Sequence, residues 1–269
     1  MADSLDFYAG CTALITGASA GIGAEFARRL APVSRYLILI ARREDRLEQL
    51  KEELEQAYPT VRVVIRGCDL AQSPDVEALV RWLDQENFQV DLLINNAGVG
   101  DHGHFSSSDW SRVDQMLRVN VGALTQLTHA LLPGMMERRI GAICNVSSIA
   151  AFFPVPHMGV YAATKSYVSS LSESIRAELR GSGVSVTTIC PGPVDTEFGA
   201  VAQRENSEGL MPPDDLKTSV DQVVTEALDA VAHDRPRVIP NFWLALGVLI
   251  VAAIPLLIKR PVLNRMALD

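Results

Sequence analysis

The stretch "TGASAGIG", Thr16 to Gly23, decides the fold. It lies between a small-and-apolar run, "CTALIT" (11–16), and a stretch whose apolar residues recur at helical spacing (21–31). A continuous run of that kind suits a strand buried on both faces, so the segment predicts strand, glycine-rich turn, helix. Glycines let a backbone turn tightly and approach a ligand. The helix that follows offers unpaired N–H groups and the positive end of its dipole to a diphosphate. The spacing of Gly17, Gly21 and Gly23 departs from the G-x-G-x-x-G fingerprint. Even so, a loop between strand and helix with these residues is expected to cradle a dinucleotide.

Working outward, the same alternation repeats. Strand-like runs occur at "YLILIA" (36–41), "VRVVI" (61–65), "DLLIN" (91–95), "GAICNV" (141–146), "VSVTTIC" (184–190) and "RVIP" (237–240). Helical stretches fall near 44–57, 74–86, 109–137, 161–180 and 220–232. Strict β-α alternation with continuous apolar strands predicts an α/β fold, a doubly wound parallel sheet with helices on both faces, as one domain over residues 1–240. Ligands of such sheets bind at the carboxyl ends of the strands. "CDL" (68–70), "NNAG" (95–98) and "PGPVDT" (191–196) all fall at such ends. Each read alone is an ordinary turn, and Asp69 alone could equally cap a helix.

Bulk properties exclude several classes. A formal net charge of −8, with Lys and Arg scattered, repels a phosphate backbone, so nucleic acid is not an expected partner. Cys11, Cys68, Cys144 and Cys190 lack paired spacing, which excludes the usual zinc patterns and suits reduced, buried thiols. "MADSLDFYAG" shows no signal-peptide pattern, so the expected location is cytoplasmic. His102 and His104 have no evident third ligand; no metal is expected, and a pocket rim suits them better.

"VYAATK" (160–165) sets Tyr161 four residues before Lys165. On a helix the two share a face, although such a pair alone would ordinarily be a solvated one.

Taken in order, "TGASAGIG", "NNAG", Asn120 in "RVNVGA", "NVSS", "YAATK" and "PGPVDT" resemble the short-chain dehydrogenase/reductase family over roughly residues 8 to 200. The resemblance implies a single Rossmann-like domain moving a hydride between NAD(P)(H) and a carbonyl or alcohol. It implies catalytic roles for Asn120, Ser148, Tyr161 and Lys165, with Asn120 fixing a relay water and Lys165 also binding the nicotinamide ribose. Ser148 is preferred to Ser147 by its distance before Tyr161, and adjacent strand residues face opposite ways. Cofactor contacts are implied for Gly17, Ser19, Gly21, Ile22, Gly23, Asp69, Leu70, Asn96, Ala97, Gly98, Pro191, Gly192, Val194 and Thr196, along with Tyr161 and Lys165. A lysine on the tyrosine's helical face is expected to lower the phenol's pKa from about 10.

Where an NAD enzyme of this kind carries an acid after the second strand, this chain has Ala41 followed by Arg42, so NADP(H) is the expected cofactor, with NAD(H) the lesser choice. Arg42 and Arg43 could instead be merely solvated. Phe152, Phe153, Pro154 and Met158, in the strip joining Ser148 to Tyr161, predict a hydrophobic carbonyl or alcohol substrate. The family also suggests a homo-oligomer. The rival reading is a non-catalytic dinucleotide-binding regulatory or scaffold protein.

Beyond the motifs lies "FWLALGVLIVAAIPLLI" (242–258), within an apolar extension over 241–269. Pro255 shortens its uninterrupted part below the usual span of a bilayer. It could be a buried helix over the substrate mouth or a subunit contact, a segment lying in a membrane interface, or a true span. Lys259, Arg260 and Arg265 follow it.

Overall fold

The computed structural model describes residues 5–204 and 217–266. Strand β1 (Thr12–Thr16) passes through the glycine turn into helix α1 (Gly21–Leu30). Two glycines are required there. Gly17 has φ +67°, and a Cβ added to Gly23 would stand 2.3 Å from the Gly17 carbonyl oxygen. The remaining strands are β2 (Tyr36–Ala41), β3 (Arg62–Gly67), β4 (Leu92–Asn95), β5 (Gly141–Val146), β6 (Val184–Ile189) and β7 (Arg237–Val238). They form one parallel sheet in the order β3-β2-β1-β4-β5-β6-β7. The order reverses at β1, so a crevice opens between the carboxyl ends of β1 and β4.

Alternation within β1 explains why both faces are covered. Ile15 points to a core shared with Phe26 of α1, Leu47 and Leu54 of α2 (Glu44–Ala57), and Val224 and Leu228 of a later helix, Val220–Ala232. Leu14 points the other way, to Leu79 and Leu83 of α3 (Ser73–Gln85) and to Leu127. Burying apolar side chains in this way contributes roughly 1.5–3 kcal/mol for each large one.

Four elements differ from the sequence pattern. The expected 109–137 segment is α4 (Trp110–Leu117), a π-helical turn over Arg118–Ala123, and α5 (Leu124–Arg138). The pattern hides the turn, because buried positions keep a three- to four-residue spacing through it, at Val113, Met116, Val119, Ala123 and Leu127. Helix α6 (Gly159–Glu178) begins two residues before Tyr161, and α7 (Glu197–Ala202) is too short for periodicity to reveal. Strand β7 is only the two residues that pair with Thr188 and Ile189.

After α8 (Val220–Ala232), the apolar extension forms α9 (Phe242–Ala253) and α10 (Leu256–Met266), bent by 111° at the break before α10. Among the described residues no single helix is long and apolar enough to cross a membrane. Most of α9 is exposed within this chain. Only Val248 is fully buried in α9, and Leu244, Ala245 and Ala252 complete its partly covered stripe. The reason is geometric: both faces of the sheet are already covered, so α9 rests on an edge, against residues 149–152 and Gly192.

Candidate active site

The site is built from the carboxyl edge of the sheet. Asn96, just after β4, donates from Nδ2 to the carbonyls of Thr16 (2.9 Å) and Gly17 (3.3 Å). Thr16 Oγ1 accepts from the N–H groups of Asn96 and Ala97, each at 3.0 Å. The Asn96 side chain is thus spent on holding the glycine turn in shape. Helix α1 starts at Ala20 with no side-chain cap and no acidic residue in its first turn, so its positive end faces the crevice uncompensated. An anion suits that end, and a dinucleotide's diphosphate is such a group.

Around this turn lie other sequence-predicted residues. Thr196 caps α7, and its methyl would be 3.1 Å from a Cβ on Gly21. Ser19 Oγ accepts from Arg43 Nε (3.3 Å) and Nη2 (3.2 Å), while Arg43 Nη1 donates to Glu197 at 2.8 Å. Arg42 beside it is exposed. Asp69 Oδ1 accepts from the Ala71 N–H at 3.1 Å, so Asp69 closes a local turn rather than capping α3, which starts at Ser73. Leu70 is buried, Ile22 and Val194 pack at the edge of the core, and the Pro191 carbonyl accepts from the Ile149 N–H at 3.0 Å. Gly192 lies under Leu244 of α9.

Two of the four residues expected to be catalytic, Lys165 and Asn120, meet beside Gly98. A Cβ there would be 3.3 Å from Lys165 Nζ and 3.5 Å from Asn120 Oδ1. After β5 the two serines diverge as strand alternation requires. Ser147 is buried, donating to the Lys165 carbonyl (2.9 Å) and sharing a hydrogen bond with Ser169 (2.8 Å). The Ser148 hydroxyl accepts from the Ala150 N–H at 3.1 Å and lies close enough to the Tyr161 phenol to pull its pKa down. Lys165, 4% exposed, donates from Nζ to the Val146 carbonyl at 2.8 Å and lies 5.8 Å from the Tyr161 ring centre.

Asn120 stands within the π-helical turn. Its Oδ1 accepts from the Val99 N–H (2.9 Å), and its Nδ2 donates to the Val99 carbonyl (2.9 Å) and to Thr164 Oγ1 (3.1 Å). Both ends of the amide are taken by the protein. That geometry clamps the loop after β4 to α6.

Electrostatics also depart from expectation. Burial pushes the Tyr161 phenol up to about 12, with the Ser148 hydrogen bond pulling the other way. Burial pushes Lys165 down to about 8. Desolvation outweighs any lowering of the phenol by the neighbouring ammonium, because both groups have left water together.

The mouth of the site is apolar with a histidine rim. Phe198 of α7 sits 5.6 Å from the Tyr161 ring centre, and Met158 and Val155 pack against the same cluster. His157, with φ +62°, brings its ring within 6.0 Å of His102 and 5.8 Å of His104. Among the described residues, no group of three His, Cys, Asp or Glu side chains could hold a metal ion. Cys68, Cys144 and Cys190 are buried free thiols, and Cys11 is partly exposed.

Asp101 locks this rim. It is 5% exposed and accepts from Arg204 Nε at 2.9 Å and from Nη2. The Arg204 guanidinium holds the Asp101 carboxyl below its ordinary value. Arg204→Ala is therefore expected to destabilise the chain by about 2 kcal/mol, less than a fully buried pair because Arg204 keeps some solvent contact. A carboxylate lowered in the folded state stabilises fully above its unfolded value of about 3.9 and loses that contribution as pH falls through the folded one. Thermal unfolding should show the gap between variant and parent closing below about pH 4; a gap independent of pH would refute the ion pair's contribution.

Sequence reasoning missed three contributors: Arg43 as the partner of Ser19, Phe198 against Tyr161, and Thr164 as an Asn120 partner. Arg43 alone carried a signal, its place beside Arg42. The other two depend on contacts between distant elements.

A family model described as short chain dehydrogenase matches residues 11–207. Sulfoacetaldehyde reductase of Chromohalobacter salexigens is 41% identical over 192 residues, covering 70% of this chain and 74% of that protein. A short-chain dehydrogenase from Sphingobium yanoikuyae in complex with NADPH superposes with TM-score 0.77 at 31% identity, covering 91% of this chain and 96% of that one. A short chain dehydrogenase/reductase from Burkholderia phymatum in complex with NAD gives 0.78 at 27% identity, over 90% and 92% of the two chains.

Proposed function

This chain belongs to the short-chain dehydrogenase/reductase family and is an oxidoreductase, and from that premise we propose that it interconverts a lipophilic ketone or aldehyde and its alcohol with NADP(H). The observation that carries the reading is the grouping of Tyr161 with Lys165, 5.8 Å from its ring centre and beside Gly98, and with Ser148, next to a glycine turn built for a diphosphate. When bound, the nicotinamide supplies a hydride to the carbonyl carbon, or takes one from the alcohol.

Tyr161 Oη donates the proton that the reduced carbonyl oxygen needs. A phenol held protonated up to about 12 carries its proton at neutral pH, and the nearby Lys165 charge is what would ease its transfer. Ser148 Oγ holds the same oxygen and steadies the phenolate left behind. Lys165 keeps a positive charge near that phenolate and would hold the nicotinamide ribose. Asn120 and Thr164 hold α6 in register with the loop after β4, so the reacting groups keep their spacing. The burial of all of these polar groups in one place argues against a role without turnover.

The preference for NADP(H) rests on Arg42 and Arg43 with Ser19, where an NAD enzyme would carry an acid. Exchanging both arginines for Ala should weaken NADPH at least about tenfold, the cost of losing charge-assisted phosphate contacts, and leave NADH nearly unchanged. Titration with each nucleotide checks this; equal loss for both would refute a 2′-phosphate role.

The lipophilic substrate rests on Met158, Val155 and Phe198 packed with Tyr161, and on the apolar strip of Phe152 and Phe153 in the sequence between Ser148 and Tyr161. NADPH consumption across steroid, fatty-acyl, retinoid and small aromatic carbonyls tests it. Faster turnover of a small anionic aldehyde than of any of these would overturn the substrate class.

A further inference from the structure

The largest feature that the site does not use is the outward surface of α9 and α10. Phe242 (73% exposed), Trp243 (76%), Leu246, Leu249 and Ile250 form one side of α9, and Leu257 (73%), Ile258 (64%) and Val262 continue it on α10. Soluble chains rarely leave so large a continuous apolar surface to water. We propose that this surface docks the enzyme on a lipid bilayer bearing anionic headgroups, with α9 and α10 lying in the interface.

Three observations select a membrane over a second copy of this chain or another protein. First, the outward side of α9 carries no polar group at all except the Trp243 indole N–H, which gives a folded partner nothing to recognise by hydrogen bonding. Second, the charged side chains within the described part of the extension are of one sign. In a chain of net charge −8, residues 241–266 contain Lys259, Arg260 and Arg265 and no acid. A protein interface is ordinarily rimmed by mixed polar groups, whereas the three cations that follow the apolar helix complement anionic headgroups. Third, the shape suits lying on a surface and not crossing one. The two helices are bent by 111°, neither is long enough to span, and Lys259 Nζ covers the Ala252 carbonyl at the bend, 3.3 Å away. Phe242 and Trp243 sit at the other end, where aromatic rings favour the headgroup boundary.

The inner stripe of α9 gives this docking a function. Leu244 fills the space above Gly192, with Cδ2 2.4 Å from where a Gly192 Cβ would be, and α9 rests on the turn 149–152 that carries Phe152. The docked surface is thus continuous with the apolar wall of the site, and a carbonyl dissolved in the bilayer would enter without crossing water. This part rests on the lipophilic-substrate reading above.

Flotation of the full chain with vesicles tests the proposal. Phosphatidylcholine vesicles containing phosphatidylserine should carry the protein upward, phosphatidylcholine alone should carry less, and added salt should reduce the difference. Phe242→Ser with Trp243→Ser and Leu249→Ser, all solvent-facing, should cut partition more than about tenfold while NADPH binding stays intact. The proposal is overturned if the parent stays at the bottom with both vesicle types, or if the triple variant floats as well as the parent. It is equally overturned if sedimentation shows a dimer that the triple variant splits, with no flotation of the parent. Flotation needs no turnover, so a chain that floats yet reduces no lipophilic carbonyl would support docking and refute the substrate reading.

Discussion

Tyr161→Phe is expected to abolish turnover, by at least about a hundredfold in kcat, while the affinity for NADPH stays within about twofold. The substitution removes one oxygen atom and leaves the ring. That ring is 8% exposed and packs with Met116, Ala150 and Ala162, so the fold has little to lose. What disappears is the phenolic proton beside the apolar mouth, where Phe198 faces the Tyr161 ring. Single-turnover reduction followed at the NADPH absorbance separates chemistry from binding. Retention of kcat within tenfold of the parent would sink the assignment of Tyr161 as the proton donor.

Lys165→Ala should damage chemistry and cofactor binding together, and in this it differs from the tyrosine variant. Nζ is buried, donates to the Val146 carbonyl and stands beside Gly98. Its loss leaves that carbonyl without a partner, at roughly 1–3 kcal/mol, and removes the charge that stabilises the phenolate. Both kcat and NADPH affinity are expected to fall at least about tenfold. The pH profile adds a second check. Burial lowers Lys165 to about 8, so its charge is present below that pH and is lost as pH rises through it. The kcat/KM of the parent for reduction should therefore decline above about pH 8, and Lys165→Arg, which cannot lose its charge there, should move that decline upward. An unchanged alkaline limb in the arginine variant would show that another group sets it. A low kcat with normal NADPH affinity in Lys165→Ala would remove the lysine from the cofactor's site.

These two residues also show how far local pattern reaches. Their four-residue spacing on a helix is a property of the chain alone, and α6 does present both to one crevice. Their protonation is not such a property. It depends on how much water surrounds each group, and that is set by β5, β6, α7 and the loop after β4, none of which is near Tyr161 in sequence. Hence the sign of the phenol's shift came out opposite to the pairwise expectation: a pair of neighbours was legible, and the medium around them was not.

By itself the sequence determined the strand and helix order, the glycine turn, the parallel sheet and the place of each motif at a strand's carboxyl end. Those features follow from periodicity, turn chemistry and the handed path of a βαβ chain, all written within a few dozen residues. Only the tertiary structure decided the rest. Arg43 meets Ser19 and Glu197 because β1, β2 and α7 end at one edge of the sheet, although they lie 24 and 154 residues apart. Asn120 became a clamp because a π-helical turn aims its amide at Val99 and Thr164. The extension 242–258 reads as apolar all round, and its composition could not say which side would be covered. The fold settled that by having both sheet faces already packed, leaving α9 a narrow seat on Gly192 and the turn at 149–152 and its remaining apolar surface turned outward.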